Sequence, residues 1–207
     1  MLQMEVQRNP RYVAGVPADP NARILDAALE QFEDLGIRRS TLEDIARRAG
    51  VDRVTVYRRL GSRDDVVQAV VIREAERTFS SVFALVEPTH TAEERVAVVF
   101  TAIVRRMWTH TLFNRLVKLE PEVALARMTT EAGGVVATAV AATVAMMNQA
   151  VVDGVLAPAQ DFATRAEIIV RIAHSFIVTP RAHLGIESDD ELMALARGYI
   201  APIVTRA

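Results

Sequence analysis

The chain has 207 residues, 51% of them hydrophobic, with 24 Lys and Arg against 26 Asp and Glu for a formal net charge of −2. That length supplies core for one large or two modest domains, and the absence of Cys excludes both a disulfide framework and thiolate chemistry. A balance so close to neutral excludes a protein that is basic throughout, so any attraction to a polyanion must come from a local concentration of charge. No basic segment followed by an apolar run opens the chain, and with the missing Cys this leads to the expectation of a cytoplasmic protein.

Residues 1–18 carry Arg8, Pro10, Arg11 and Pro17 with little apolar periodicity and read as a mobile N-terminal arm. Asp19 can cap and Pro20 can start a first helix, since Pro at the first helical position gives up an N–H that would be unpaired anyway. Ile24, Ala28, Phe32 and Leu35 line one side of it, and Gly36 closes it.

The stretch from Thr41 to Leu60 carries the densest signal. Leu42, Ile45, Ala46 and Ala49 fall on one helical stripe, opened by a capping box of either Ser40 with Glu43 or Thr41 with Asp44. Gly50 follows the last periodic residue, where leaving a helix with φ > 0 costs no Cβ clash. Asp52 can cap a second helix whose Val51, Val56 and Leu60 turn inward while Arg53, Val54, Tyr57 and Arg58 turn outward. Two helices joined by a glycine turn form a helix-turn-helix, whose second helix enters the DNA major groove through its N-terminal residues. The outward side chains suit base reading, because Arg pairs with guanine, Val54 meets a thymine methyl, and Thr55 and Tyr57 bring hydroxyls. Between Ile37 and Arg63 there are eight Arg against three acids, an excess that DNA would feel locally because screening confines attraction to about 8 Å at physiological salt.

With Arg23 to Ala28, Phe32, Gly36, Thr41, Asp44 to Ala46, Ala49 to Val51, Thr55, Tyr57 and Ser62 to Asp64, this region resembles the DNA-binding domain of the tetracycline-repressor (TetR) family over roughly residues 20 to 70. It departs from the family pattern at Leu60, where an aromatic is common, at Arg63, where Lys is common, and at Val54, where a smaller residue or Pro often sits. The resemblance implies an all-α chain. An N-terminal three-helix helix-turn-helix DNA-binding domain (19–70, motif 41–60) would be followed by a helical ligand-binding and dimerisation domain (71–207). It also implies that Arg53, Val54, Thr55, Tyr57 and Arg58 face the groove while Thr41 and Arg63 hold phosphates.

Beyond the motif, a helix running from Asp64 to about Glu87 through Val66, Val67, Val70, Phe79 and Val82 links the two parts. A helix from Glu93 to about His110 follows, then a segment from Asn114 to Arg127 interrupted by Pro121. The run from Ala132 to Met147 is apolar nearly all round, yet at sixteen residues of mostly Ala and Val it falls short of the about 20 a membrane span needs. It is expected to be a buried central helix, with no membrane partner.

Two striped helices close the chain, and the resemblance implies that such a pair joins two subunits across a twofold axis. Ile169, Ile172, Phe176, Leu192, Leu195, Tyr199 and Ile203 are the expected dimerisation residues of a homodimer on a near-palindromic double-stranded operator. The same resemblance implies a small-molecule effector in the second half, with Phe100, Met107, Trp108, Met146, Met147 and Phe176 as candidate wall residues.

Catalytic chemistry is not legible. The one lysine, Lys118, is in no phosphate-binding loop, no nucleophile elbow or dinucleotide motif occurs, and His90, His110, His174 and His183 show no ligand spacing. No catalytic residue, metal site or cofactor is therefore assigned. The expected function is a sequence-specific transcriptional regulator acting as a repressor released by a small hydrophobic ligand. The alternative is a helical ligand-binding or interaction protein without specific DNA binding.

Overall fold

A computed structural model describes residues 20–180 and 184–206, so the arm expected over 1–18, the Asp19 cap and His183 lie outside the described residues. These form α1 (Pro20–Leu35), α2 (Leu42–Ala49), α3 (Arg53–Leu60), α4 (Arg63–Phe83), α5 (Ala92–Thr109), α6 (Thr111–Leu119), α7 (Pro121–Met128), α8 (Gly133–Val152), α9 (Phe162–Val178), α10 (Asp189–Leu195), a π turn (Ala196–Ile200) and α11 (Ala201–Thr205). No strand occurs among them.

The reading head is built from α1 to α3 and the start of α4. Ile24, Phe32, Ile45, Val56, Val66, Val67 and Val70 are fully buried in one cluster, each contributing roughly 1.5–3 kcal/mol by leaving water. Of the two caps open to α2, Thr41 with Asp44 forms the box, while Ser40 is buried and donates to the Gly36 carbonyl at 2.6 Å. Gly50 adopts φ 66°, and its N–H and that of Val51 close the carbonyl end of α2. Asp52 caps α3, and Ser62 with Asp65 caps α4.

Helix α4 then leaves the head and buries Thr78 and Val82 in the body. It ends at Phe83 rather than Glu87, because the N–H groups of Leu85 and Val86 bond three residues back and tighten into a turn. The body core joins Ala97, Phe100 and Val104 of α5 to Met147 of α8, to Phe162, Ala166 and Ile169 of α9, and to Leu192, Ala196, Ile200 and Val204. Arg165, almost wholly buried, holds the C-terminal carbonyls of Val204 at 2.7 Å and Arg206 at 2.8 Å. Helices α6 and α7, split at Pro121 as expected, run back to the head: Leu112, Leu116 and Ala124 belong to the head's own cluster.

Two expectations about packing are overturned. The apolar α8 is not a buried central helix within one chain: Ala139, Met147 and Ala150 are buried, whereas Ala137, Ala141, Ala145 and Val152 are exposed. The last stripe is not one α-helical face either. Pro202 cannot follow a regular turn, since its ring would press on the carbonyl four residues back, and the wider π turn just before it absorbs the misfit. That extra residue rotates the stripe, leaving Tyr199 76% exposed while Ile200, Ala201 and Val204 stay inside.

The head's three capping carboxylates make its stability acid-sensitive. The Thr41 hydroxyl lowers the Asp44 pKa, the Thr55 N–H lowers that of Asp52, and the Ser62 hydroxyl lowers that of Asp65, each from the ordinary 3.8. A depressed folded-state value means the contribution is complete above 3.8 and is lost as pH falls through the lower folded values. Thermal unfolding followed by circular dichroism is therefore expected to show a midpoint that drops below about pH 4, and by less in a D44N/D52N/D65N variant that is already weaker at pH 7.

Candidate functional site

Helix α3 is anchored on one side by Val56, fully buried, with Val51 and Leu60 packed partly into the same cluster. Its other side is bare. Val54 is 73% and Tyr57 63% exposed, and Arg53 and Arg58 stand exposed beside them. Thr55 turns sideways and donates its hydroxyl to the Asp52 cap at 2.9 Å, so one of the five groove candidates is already engaged. Thr41 likewise donates to Asp44 at 2.6 Å, which fixes the start of α2.

The eight arginines counted between Ile37 and Arg63 are far from equivalent. Arg38 pairs with Glu122 at 3.3 Å, Arg47 with Asp44, Arg48 with Asp34 at 2.6 Å, and Arg59 reaches Asn21 at 3.4 Å. Arg39 bonds the Leu35 carbonyl at 2.9 Å. Arg53 and Arg58 make no hydrogen bond or ion pair among the described residues. Arg63, expected to hold a phosphate, is engaged within the protein as well. Its guanidinium bonds the Ser40 carbonyl at 2.7 Å and the Ile37 carbonyl, tying α4 to the loop before α2.

The body encloses a cavity of about 230 Å³ between α4, α5, α8 and α9, with α6 and α7 as its floor. Of the six candidate wall residues, Phe100, Met107, Met146 and Met147 line it. Trp108 and Phe176 do not: Trp108 donates its indole N–H to the Phe176 carbonyl at 3.1 Å, and the Phe176 ring meets Phe100 edge to face at 5.7 Å, one layer behind the wall. Few polar groups reach the wall, among them Glu74, Arg127, His110 and His174, the last 2.7 Å from the Met128 carbonyl.

Of the expected dimerisation residues, Leu192 is wholly buried within the chain, Ile169 and the partly buried Phe176 pack into the same core, and Tyr199 is 76% exposed. Uncovered apolar surface also lies on α8 and α9, where Ile168 and Val178 are exposed, as are the α8 alanines. The i, i+4 spacing of Ala137, Ala141 and Ala145 held that signal in the sequence, hidden because the whole helix is apolar. Glu120, whose carboxylate reaches the head, had no such signal, since its partners lie 82 and 83 residues away.

Residues 24–70 match the model of bacterial regulatory proteins of the tetR family, and residues 91–184 match the tetracyclin repressor-like C-terminal domain. The chain belongs to the TetR family. Its head is 43% identical over 61 residues to the HTH-type transcriptional regulator SrpR of Pseudomonas putida, covering 30% of this chain and 29% of that protein. It is 60% identical over 42 residues to an uncharacterized HTH-type regulator of Mycobacterium tuberculosis, covering 20% of this chain and 22% of the relative, so these matches span less than a third of either relative. Whole-chain likeness comes from solved structures. The TetR family repressor AlkX from Dietzia sp. superposes with a TM-score of 0.68 at 25% identity over 92% of this chain and 97% of that one. The R. erythropolis repressor QsdR gives 0.68 at 24% over 91% and 96%.

In this TetR-family chain, Arg63 brackets the loop that presents Thr41 and should act on folding rather than on DNA. Arg63→Ala is expected to cost about 1–3 kcal/mol in chemical denaturation through its lost carbonyl bonds. The salt dependence of DNA binding should keep its slope, whereas a slope flattened by about one would return Arg63 to the phosphates.

Proposed function

We propose that the chain is a homodimeric, sequence-specific DNA-binding repressor that lays α3 into the major groove and lets go when an uncharged, largely aliphatic small molecule fills the cavity. One observation carries this reading. A helix locked from behind by Val56 presents Arg53, Val54, Tyr57 and Arg58 to solvent, two of them cations without partners among the described residues. Large exposed apolar side chains beside unpaired arginines are costly as plain surface and useful only against a partner. An interaction protein with an idle head would have no use for that combination.

The dimer is read from α8, a 20-residue helix without a charged side chain. One side of it packs on α4 and α9, and the other, with the exposed face of α9, has nothing over it in a single chain. A second copy laid across the twofold axis would cover both as a four-helix bundle, which also favours a protein partner over a membrane for this helix. Two heads so joined call for half-sites about 34–36 Å apart, one turn of DNA or a multiple of it.

The wall supports this class of effector. Glu74 pairs with Arg77 at 2.9 Å, Arg127 with Glu131 at 3.1 Å, and His174 with a carbonyl, so the charges near the cavity are answered within the protein. A ligand charge would have to be buried without an opposite number, at prohibitive cost. AlkX, similar over the whole chain, is a repressor implicated in biodegradation of n-alkanes, in keeping with an aliphatic ligand.

Selection from random duplexes is expected to return a near-palindromic motif, and a pool with no enriched sequence would end the repressor reading. Against the selected duplex, Arg53→Ala should cost about 1–3 kcal/mol and relax preference at one base position of each half-site. For the dimer, Ala141→Glu places a charge on the uncovered face of α8. Sedimentation should show wild type at twice the chain mass and the variant at the chain mass; an unchanged variant would move the interface elsewhere.

A further inference from the structure

Glu120 sits in the single-residue gap between α6 and α7 and is 5% exposed, yet it is not spent on its own helices. Its Oε2 accepts from the Ile37 N–H at 3.1 Å, and its Oε1 accepts from the Arg38 N–H at 3.0 Å, both in the loop that joins α1 to α2. Room for it exists because residue 36 is glycine. That residue has φ 85°, and a Cβ there would collide with the carboxylate oxygen. Two weaker ties flank the pair: Arg115 donates to the Asp34 carbonyl at 2.5 Å, and Arg38 meets Glu122 at 3.3 Å.

The residues four before and four after Glu120 are Leu116 and Ala124, and each has two roles. Both line the cavity floor, and both are buried in the cluster that holds the head together. The floor thus faces the cavity on one side and the head on the other, and a carboxylate bond fastens floor to head. The head continues covalently into α4, so it can swing together with that helix when Glu120 gives, and is fastened to the floor when Glu120 holds.

We propose that Glu120 is the positioning residue of regulation: its carboxylate clasps the α1–α2 loop to the cavity floor, and filling the cavity loosens the clasp and turns the α2–α3 pair away from its DNA-binding orientation. This rests on the cavity being the effector site. A ligand shifts such an equilibrium only if it binds the two states unequally, and a floor that must drop to admit it supplies that inequality.

The test uses the full chain and needs no identified ligand, because Ala139→Phe fills the cavity from α8, with Ala139→Leu as the milder filler. Amide hydrogen exchange read by NMR should rise about tenfold or more at Ile37 and Arg38 in Glu120→Ala and in the isosteric Glu120→Gln, with amides inside α5 and α9 unchanged. Filling the cavity at Ala139 should raise exchange at the same two amides and weaken the selected duplex by about fivefold or more. Combined with Glu120→Gln, the filler should add nothing further to the loss. Unchanged exchange at Ile37 and Arg38 in both Glu120 variants, protection that survives the filler, or a filler effect of equal size without Glu120 would each overturn the clasp. The exchange measurements involve no DNA, so they decide the clasp separately from whether an operator is found.

Discussion

Helix α4 is shared between two cores, and this sharing sets what every other element can do. Its first turns bury Val66, Val67 and Val70 against α1, α2 and α3, while Thr78 and Val82 are buried further along among α5 and its neighbours. A helix pinned at both ends by close-packed side chains transmits rotation rather than absorbing it, because interiors at crystal-like density do not yield continuously. The capping box of Ser62 and Asp65 and the Arg63 bonds to two carbonyls fix the near end, so its angle to the head is set by several independent contacts. What remains adjustable is the far side of the head, where α6 and α7 press.

The same economy governs charge. Most arginines of the head are spent within it: Arg48 on α1, Arg23 on the Ala49 carbonyl at 2.6 Å, Arg63 on the interhelical loop. These bonds hold α2 against α1 and α4 against the loop before α2, the rigid support that reading bases at hydrogen-bond precision demands. The net charge of −2 for the whole chain therefore conceals a local feature, two unspent cations on the exposed face of α3.

Much of this is legible in the residues themselves. Local rules decide local features: Thr41 with Asp44, Gly50, Asp52 and Pro121 sit where capping and turn chemistry put them, and the stripes of α1 and α2 face the core. Several features are hidden for one reason, which is that they depend on partners remote in sequence. Nothing near Arg63 in the sequence reveals its bonds to the Ser40 and Ile37 carbonyls. Trp108 and Phe176 have the composition of a cavity wall but stand behind it, and Leu192 has the look of an interface residue although α5 already covers it. In α8 the period is masked by uniform hydrophobicity, so which face is inside cannot be told from residue types alone. Pro202 does announce an irregularity, and its consequence is the turned-out Tyr199.

The membership of Leu112, Leu116 and Ala124 in the head's cluster means that the first seventy residues are not a free-standing module. Cut away from the rest, the head would show a raw apolar patch where those three side chains belong, and the N–H groups of Ile37 and Arg38 would lose their acceptor. Grafting it onto another regulator's body would demand that the host supply matching side chains and a carboxylate at the equivalent place. Recombination between relatives should thus tolerate swaps of the α3 surface far better than swaps of the entire N-terminal third.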